Sequence, residues 1–155
     1  MENLSLKIHK LLLGSGKTLA VAESCTGGLL SSYLTQFPGS SQYYLFGAVT
    51  YSNKAKQDIL KIPRSLILNK GAVSENVASA MAKGVRKIAR ADFGIGITGI
   101  AGPTGGTLLK PIGTVFIALS RKNKTICKKF HFTGNRTTIR EKSALKVLEL
   151  LKKLL

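Results

Sequence analysis

The feature that most limits how this chain can fold is an alternation between two hydrophobic periods. Short apolar, β-branched segments at 18–22, 44–51, 92–98, 113–120 and 125–132 read as strands. Between them the apolar residues recur at helical spacing. Leu4, Ile8, Leu11 and Leu12 share one face, and so do Val77, Met81, Val85 and Ile88, which follow Ser74, a good helix cap. Ala144, Val147, Leu148, Leu151 and Leu155 form a stripe on a last helix. Shorter helices are expected at 27–36 and 54–61, the second capped by Asn53. Strands separated by helices must bury both faces of their sheet, so the chain reads as an α/β protein. Asn123 and Lys124, between the last two strands, predict a hairpin and at least one antiparallel pair. In such folds ligands collect beyond the carboxyl ends of the strands, which directs attention to the segments found there.

With 155 residues, 44 % of them apolar, the chain is long enough for one domain with its own core. No apolar run reaches membrane-spanning length, and the N-terminus lacks the basic start and long apolar middle of a secretory signal. Two cysteines are too few for a disulfide framework. The expectation is a reduced, cytoplasmic protein. The net charge of +17 is spread along the chain, with some weight toward the C-terminal third. It admits an anionic partner (nucleic acid, an anionic membrane or a phosphorylated small molecule) or a plain solvated surface. The lysines come singly or in pairs rather than in a dense tract, which favours the plain surface.

Four segments at strand ends carry candidate chemistry. In Ala22-Glu23-Ser24-Cys25-Thr26-Gly27-Gly28 a strand runs into a helix. Ser24 there is either a nucleophile, its oxyanion held by helix N–H groups, or a helix cap, as Thr26 also is. Gly27 and Gly28 would let a ligand approach the backbone. Cys25 reads as a small buried residue, since neither His9 nor His131 sits in a motif that suggests a Cys–His pair. In Thr50-Tyr51-Ser52-Asn53-Lys54-Ala55-Lys56 the helix places Lys56 in its first turn. The helix dipole disfavours a cation there, so Lys56 is either a neutral base with a depressed pKa or an ordinary exposed lysine. Tyr51 either donates a hydrogen bond to the reacting group or packs.

The third segment runs from Thr98-Gly99-Ile100-Ala101-Gly102-Pro103 through Thr104-Gly105-Gly106-Thr107 to Lys110-Pro111. A Gly/Pro-rich connection of this length in a compact domain is usually functional. Gly94-x-Gly96-x-x-Gly99 matches the dinucleotide fingerprint by letter only. Its glycines lie inside a strand, Pro103 follows, and no acid stands about twenty residues on. In the fourth segment, Arg136 and Arg140 open the last helix as i, i+4 neighbours, either a phosphate clamp or an exposed basic turn. Two isolated histidines and seven scattered acids argue against a zinc site, a magnesium cluster or a carboxylate-pair glycosidase. With no Trp, six Phe and four Tyr, no stacking platform for single strands is evident.

Taken in order, these blocks, with Gly71-Ala72-Val73-Ser74-Glu75 and Lys110-Pro111-x-Gly113-Thr114-Val115, resemble the CinA C-terminal domain family. Its stand-alone members are nicotinamide-nucleotide amidases of the PncC type. The resemblance covers nearly the whole chain. It implies one CinA C-terminal-like domain over residues 1–155, a three-layer α/β/α sandwich with a mixed sheet of about five strands. It implies hydrolysis of the carboxamide of nicotinamide mononucleotide to nicotinate mononucleotide and ammonia, without a metal or cofactor. Ser24 would be the nucleophile, Lys56 the base and Tyr51 an assistant. Thr26, Gly27 and Gly28 would supply oxyanion or ligand contacts. Thr98, Gly99, Ala101, Gly102, Arg136 and Arg140 would hold the nucleotide. Thr104 stands where other members often carry an acidic or different polar residue. The N-terminal domain of larger members is expected to be absent, and a homodimer is expected because members often associate. Two rival expectations stand beside the amidase, a basic nucleic-acid-binding module and a non-catalytic nucleotide-binding protein of the same fold.

Overall fold

The computed structural model describes residues 3–155. Helix α1 (Leu4–Ser15) leads into β1 (Leu19–Glu23), and α2 (Leu29–Thr35) into β2 (Tyr44–Val49). Three helices follow, α3 (Asn53–Leu60), α4 (Arg64–Lys70) and α5 (Glu75–Ala89). Strands β3 (Phe93–Gly99), β4 (Thr114–Arg121) and β5 (Lys124–His131) then precede the last helix, α6 (Arg136–Lys152). The sheet order is β2-β1-β3-β4-β5. Strand β1 is parallel to both β2 and β3, whereas β3–β4 and β4–β5 are antiparallel, so the expected mixed five-stranded sheet is present.

Period-2 alternation explains why the two faces differ. Leu19 and Val21 of β1, Ile95 and Ile97 of β3, and Ile117 and Leu119 of β4 point to one side. There they pack with Ile8 and Leu12 of α1, Leu30 and Leu34 of α2, and the α6 stripe of Ala144, Val147, Leu148 and Leu151. The opposite face is built of small residues. Ala20 and Ala22 meet Val77, Met81 and Val85 of α5, and Ala118 meets Ala78 and Ala82. A Cβ at Gly96 would run into the Ala78 carbonyl and stand 2.6 Å from the Ala82 nitrogen. The Gly94-x-Gly96 pair is thus a packing device that brings α5 against the sheet backbone, which is why it resembles a nucleotide fingerprint only by letter.

Element boundaries differ from the sequence reading where local chemistry decides them. The cap of α3 is Ser52, whose hydroxyl accepts from the Ala55 amide at 3.0 Å, so Asn53 is already helical. Helix α2 begins at Leu29 instead of Gly27, because Gly27 and Gly28 take positive φ of 57° and 98°. The buried face of α5 ends at Val85, and Ile88 is 46 % exposed. Helix α4 carries too short an apolar pattern to be read from sequence. No helix among the described residues is long and apolar enough to cross a membrane.

Replacing Gly96 with Ala should destabilise the protein by about 1–3 kcal/mol or more in urea unfolding, since backbone rather than a flexible side chain opposes the new methyl. Gly14→Ala, in α1 with nothing within 4 Å, should stabilise it by about 0.5–1 kcal/mol. Equal effects at the two positions would contradict the packing account.

Candidate active site

The parallel pairing of β1 with β2 brings the ends of these strands side by side. The turn after β1 is tied on both flanks: the Ser24 amide donates to the Ile97 carbonyl at 3.0 Å, and the Thr50 amide donates to the Glu23 carbonyl at 2.9 Å. From β2 the chain passes through Thr50 and Tyr51 into α3, whose first turn sends Lys56 back beneath the strand ends. The Lys56 side chain is 1 % exposed. Its Nζ lies 3.0 Å from Ser24 Oγ, 2.7 Å from the Thr50 carbonyl and 3.0 Å from the Tyr51 carbonyl.

That environment disfavours the charged form of the amine. Burial pushes the Lys56 pKa down from its ordinary 10.5 to about 8. The cause is loss of water around the ammonium, with no carboxylate among the described residues within hydrogen-bond reach to offset it. In the uncharged amine the two N–H groups are satisfied by the Thr50 and Tyr51 carbonyls. The lone pair then faces the Ser24 hydroxyl, as a general base requires. Cys25 lies beside the pair, and burial raises its thiol to about 12, so it is protonated at neutral pH and a poor nucleophile.

The helix start is not the open anion site that its sequence suggested. Glu23, fully buried, turns its carboxylate the other way from Ser24 and caps α2. It accepts from the amides of Gly28 at 3.0 Å, Leu30 at 3.2 Å and Ser31 at 2.8 Å, and from the Ser31 hydroxyl at 2.5 Å. The Gly27 amide donates to the Ser24 carbonyl at 3.0 Å. The Gly27 and Gly28 amides are therefore engaged within the protein, while those of Cys25 and Thr26 have no backbone acceptor among the described residues. Sequence reasoning missed the role of Glu23; the available signal was an acid at a strand end just ahead of a helix.

A cavity of about 260 Å³ opens over the Ser24–Lys56 pair. Thr98, Gly99, Ala101, Gly102 and Arg136 line it, together with Tyr51. Thr98 is buried, with its hydroxyl donating to the Ala72 carbonyl at 3.0 Å. Arg136 spans the rim, donating through Nη1 to the Gly102 carbonyl at 2.7 Å and through Nη2 to the Tyr51 hydroxyl at 2.8 Å. The Tyr51 ring is 55 % exposed, so its backbone carbonyl serves Lys56 while its phenol serves Arg136. Thr26, Gly27, Gly28 and Arg140 do not line the cavity. Arg140 donates to the Thr26 carbonyl at 2.8 Å and braces the turn from behind. Lys110 anchors the long loop. Its Nζ donates to the Lys70 carbonyl at 3.2 Å and the Val73 carbonyl at 2.5 Å, holding the long loop against the segment between α4 and α5.

Glu23→Ala would strand three amides and a hydroxyl at once. It should cost at least about 3 kcal/mol in urea unfolding, and Glu23→Gln should recover part of that loss. A Glu23→Ala protein within about 1 kcal/mol of the parent would contradict the capping role.

Comparison with known proteins agrees with this architecture. The CinA-like protein of Syntrophotalea carbinolica is 48 % identical over 154 residues, 99 % of this chain and 37 % of the relative. That of Geobacter metallireducens is 46 % identical over 152 residues. The chain thus spans little more than a third of the length of these curated relatives. Among solved structures, a competence-damaged protein (CinA) superfamily protein from Escherichia coli superposes with a TM-score of 0.94 at 37 % identity. The match covers 99 % of this chain and 90 % of the other. The competence damage-inducible protein A from Klebsiella pneumoniae gives 0.93 at 34 % identity, over 97 % and 94 %. The profile of the CinA C-terminal domain matches residues 1–155. With a mixed sheet between two helical layers and close relatives along its whole length, the chain belongs to the CinA C-terminal domain family.

Proposed function

We propose that the chain is a serine amidohydrolase that converts nicotinamide mononucleotide to nicotinate mononucleotide and ammonia. The observation that carries this reading is the buried contact of Lys56 Nζ with Ser24 Oγ at 3.0 Å. The choice of a pyridine nucleotide rests on the family resemblance. It is supported by a cavity of about 260 Å³ with a guanidinium at its rim, suited to a phosphate.

In this mechanism neutral Lys56 takes the Ser24 proton as Oγ attacks the carboxamide carbon. The amide of Cys25, which lines the cavity, is the donor left for the oxyanion, in place of the occupied Gly27 and Gly28 amides. The tetrahedral intermediate collapses as Lys56 returns its proton to the leaving nitrogen, releasing ammonia and leaving an ester on Ser24. A water molecule then gives a proton to Lys56 and attacks the ester, and carboxylate and free Ser24 result. Arg136 holds the substrate phosphate, with Tyr51 orienting the guanidinium. Tyr51 is then a positioning residue rather than a proton donor to the reacting group.

The active form carries Lys56 without its proton, so kcat/KM should rise about tenfold per pH unit below about 8 and level off above it. Ammonia release from nicotinamide mononucleotide, its riboside and free nicotinamide measures both rate and choice of substrate. Ser24→Ala and Lys56→Arg should each lose about a thousandfold or more, the second because arginine keeps its proton. Arg136→Ala should raise KM for the mononucleotide while leaving the riboside rate nearly unchanged. Wild-type turnover by Ser24→Ala, or no ammonia from any of the three compounds, would overturn the proposal.

A further inference from the structure

The strongest feature outside the cavity lies at the other end of the sheet. Because β4 runs antiparallel to β3, the β4–β5 turn stands beside the starts of β1 and β3, away from Ser24. The turn, Arg121-Lys122-Asn123-Lys124, is exposed throughout. It lines two overlapping open grooves of about 730 and 410 Å³. Lys17 lines the larger and Lys83 the smaller, while Arg86, Arg121, Lys122 and Lys124 line both.

These cations are poorly neutralised. The one acid lining the grooves is Asp92, and its carboxylate already accepts from the Thr18 amide at 2.9 Å and the Thr18 hydroxyl at 3.1 Å. Lys17 stands 4.0 Å from it, and Arg86 is braced by an Nε donation to the Asp92 carbonyl at 3.0 Å. Among the described residues, Lys83, Arg121, Lys122 and Lys124 have no carboxylate within 4 Å. The C-terminal ends of α1 and α5 lie nearby, so no helix N-terminus adds backbone donors. Attraction for an anion comes from side-chain charge alone.

We infer that this cationic turn and the two grooves it lines bind the phosphate backbones of double-stranded nucleic acid, without reading sequence. Six cations (Lys17, Lys83, Arg86, Arg121, Lys122 and Lys124) line these grooves and present positive charge over an extended surface, as contact with successive backbone phosphates requires. Cations spread around a ridge do not converge on one point, as a small nucleotide's phosphates would require. Phe93, the one aromatic residue lining the grooves, is 8 % exposed and offers no stacking surface to single-stranded bases. The turn itself carries no apolar side chain to insert into a lipid surface. This inference is independent of the amidase reading, since no groove residue lines the Ser24 cavity.

The test titrates the intact protein into a labelled 20-base-pair duplex of arbitrary sequence at about 50 and about 200 mM salt. Four to six phosphate contacts should weaken binding by about 10²–10³ between the two conditions. Lys122→Glu/Lys124→Glu should weaken binding at least about tenfold at low salt. Lys7→Glu/Lys142→Glu makes the same charge change on α1 and α6, away from the grooves, and should cost less than about twofold. Both variants should retain the parent's melting temperature and its rate of ammonia release. Absence of a duplex complex at low salt, equal losses in the two double variants, or binding to phosphatidylserine vesicles but not to duplex would each overturn the inference.

Discussion

The candidate site of this domain is organised around one amine removed from water. Lys56 is buried among three oxygens, with no carboxylate of the described residues in reach, an arrangement that disfavours its ammonium form and keeps the uncharged form accessible near neutral pH. Most buried lysines would be paired with an acid. Here the partners are two carbonyls that fix the position of the amine without holding its proton. The third neighbour is the hydroxyl that the amine can activate. A perturbed base beside a nucleophile in a cleft is the pattern expected of an active site.

The scaffold that places Lys56 also isolates it. Consecutive residues of the first strand and its turn serve opposite sides: Glu23 faces α2 and satisfies its first amides, while Ser24 faces the cavity. The capping carboxylate fixes the start of α2, so the turn that presents Ser24 has little freedom to shift. Arg140 braces that turn from below through the Thr26 carbonyl, and Lys110 holds the loop that forms the opposite wall. Two arginines one helical turn apart thus have different work. Arg136 reaches the rim and Arg140 stays behind Ser24.

Much of this was legible in the residues. Alternating periods fixed the α/β class, the hairpin residues forecast an antiparallel pair, and strand-end motifs named Ser24 and Lys56 as candidates. The reading fell short where a side chain's partner lies far along the chain. An acid at a strand end ahead of a helix is the one local sign of a capping Glu23, and it does not name the acceptor's partners, because these depend on the α2 amides folding back over it. The glycines at 27 and 28 invited a ligand-contact reading, since freedom of φ is visible in sequence while the acceptor of each amide is not. Helix α4 escaped because seven residues give too few turns for a period to show.

The sequence by itself determined which segments become strands and helices, and that small residues face α5 while large ones face α1, α2 and α6. Those outcomes follow from local periodicity and side-chain volume, both carried by neighbouring residues. Only the tertiary structure decided that Ser24 and Lys56, 32 positions apart, would meet, and that Arg136 would reach Tyr51 across 85 positions. Such meetings depend on strand order and on the direction of each crossover. The burial that lowers the Lys56 pKa exists only after those elements have closed around it.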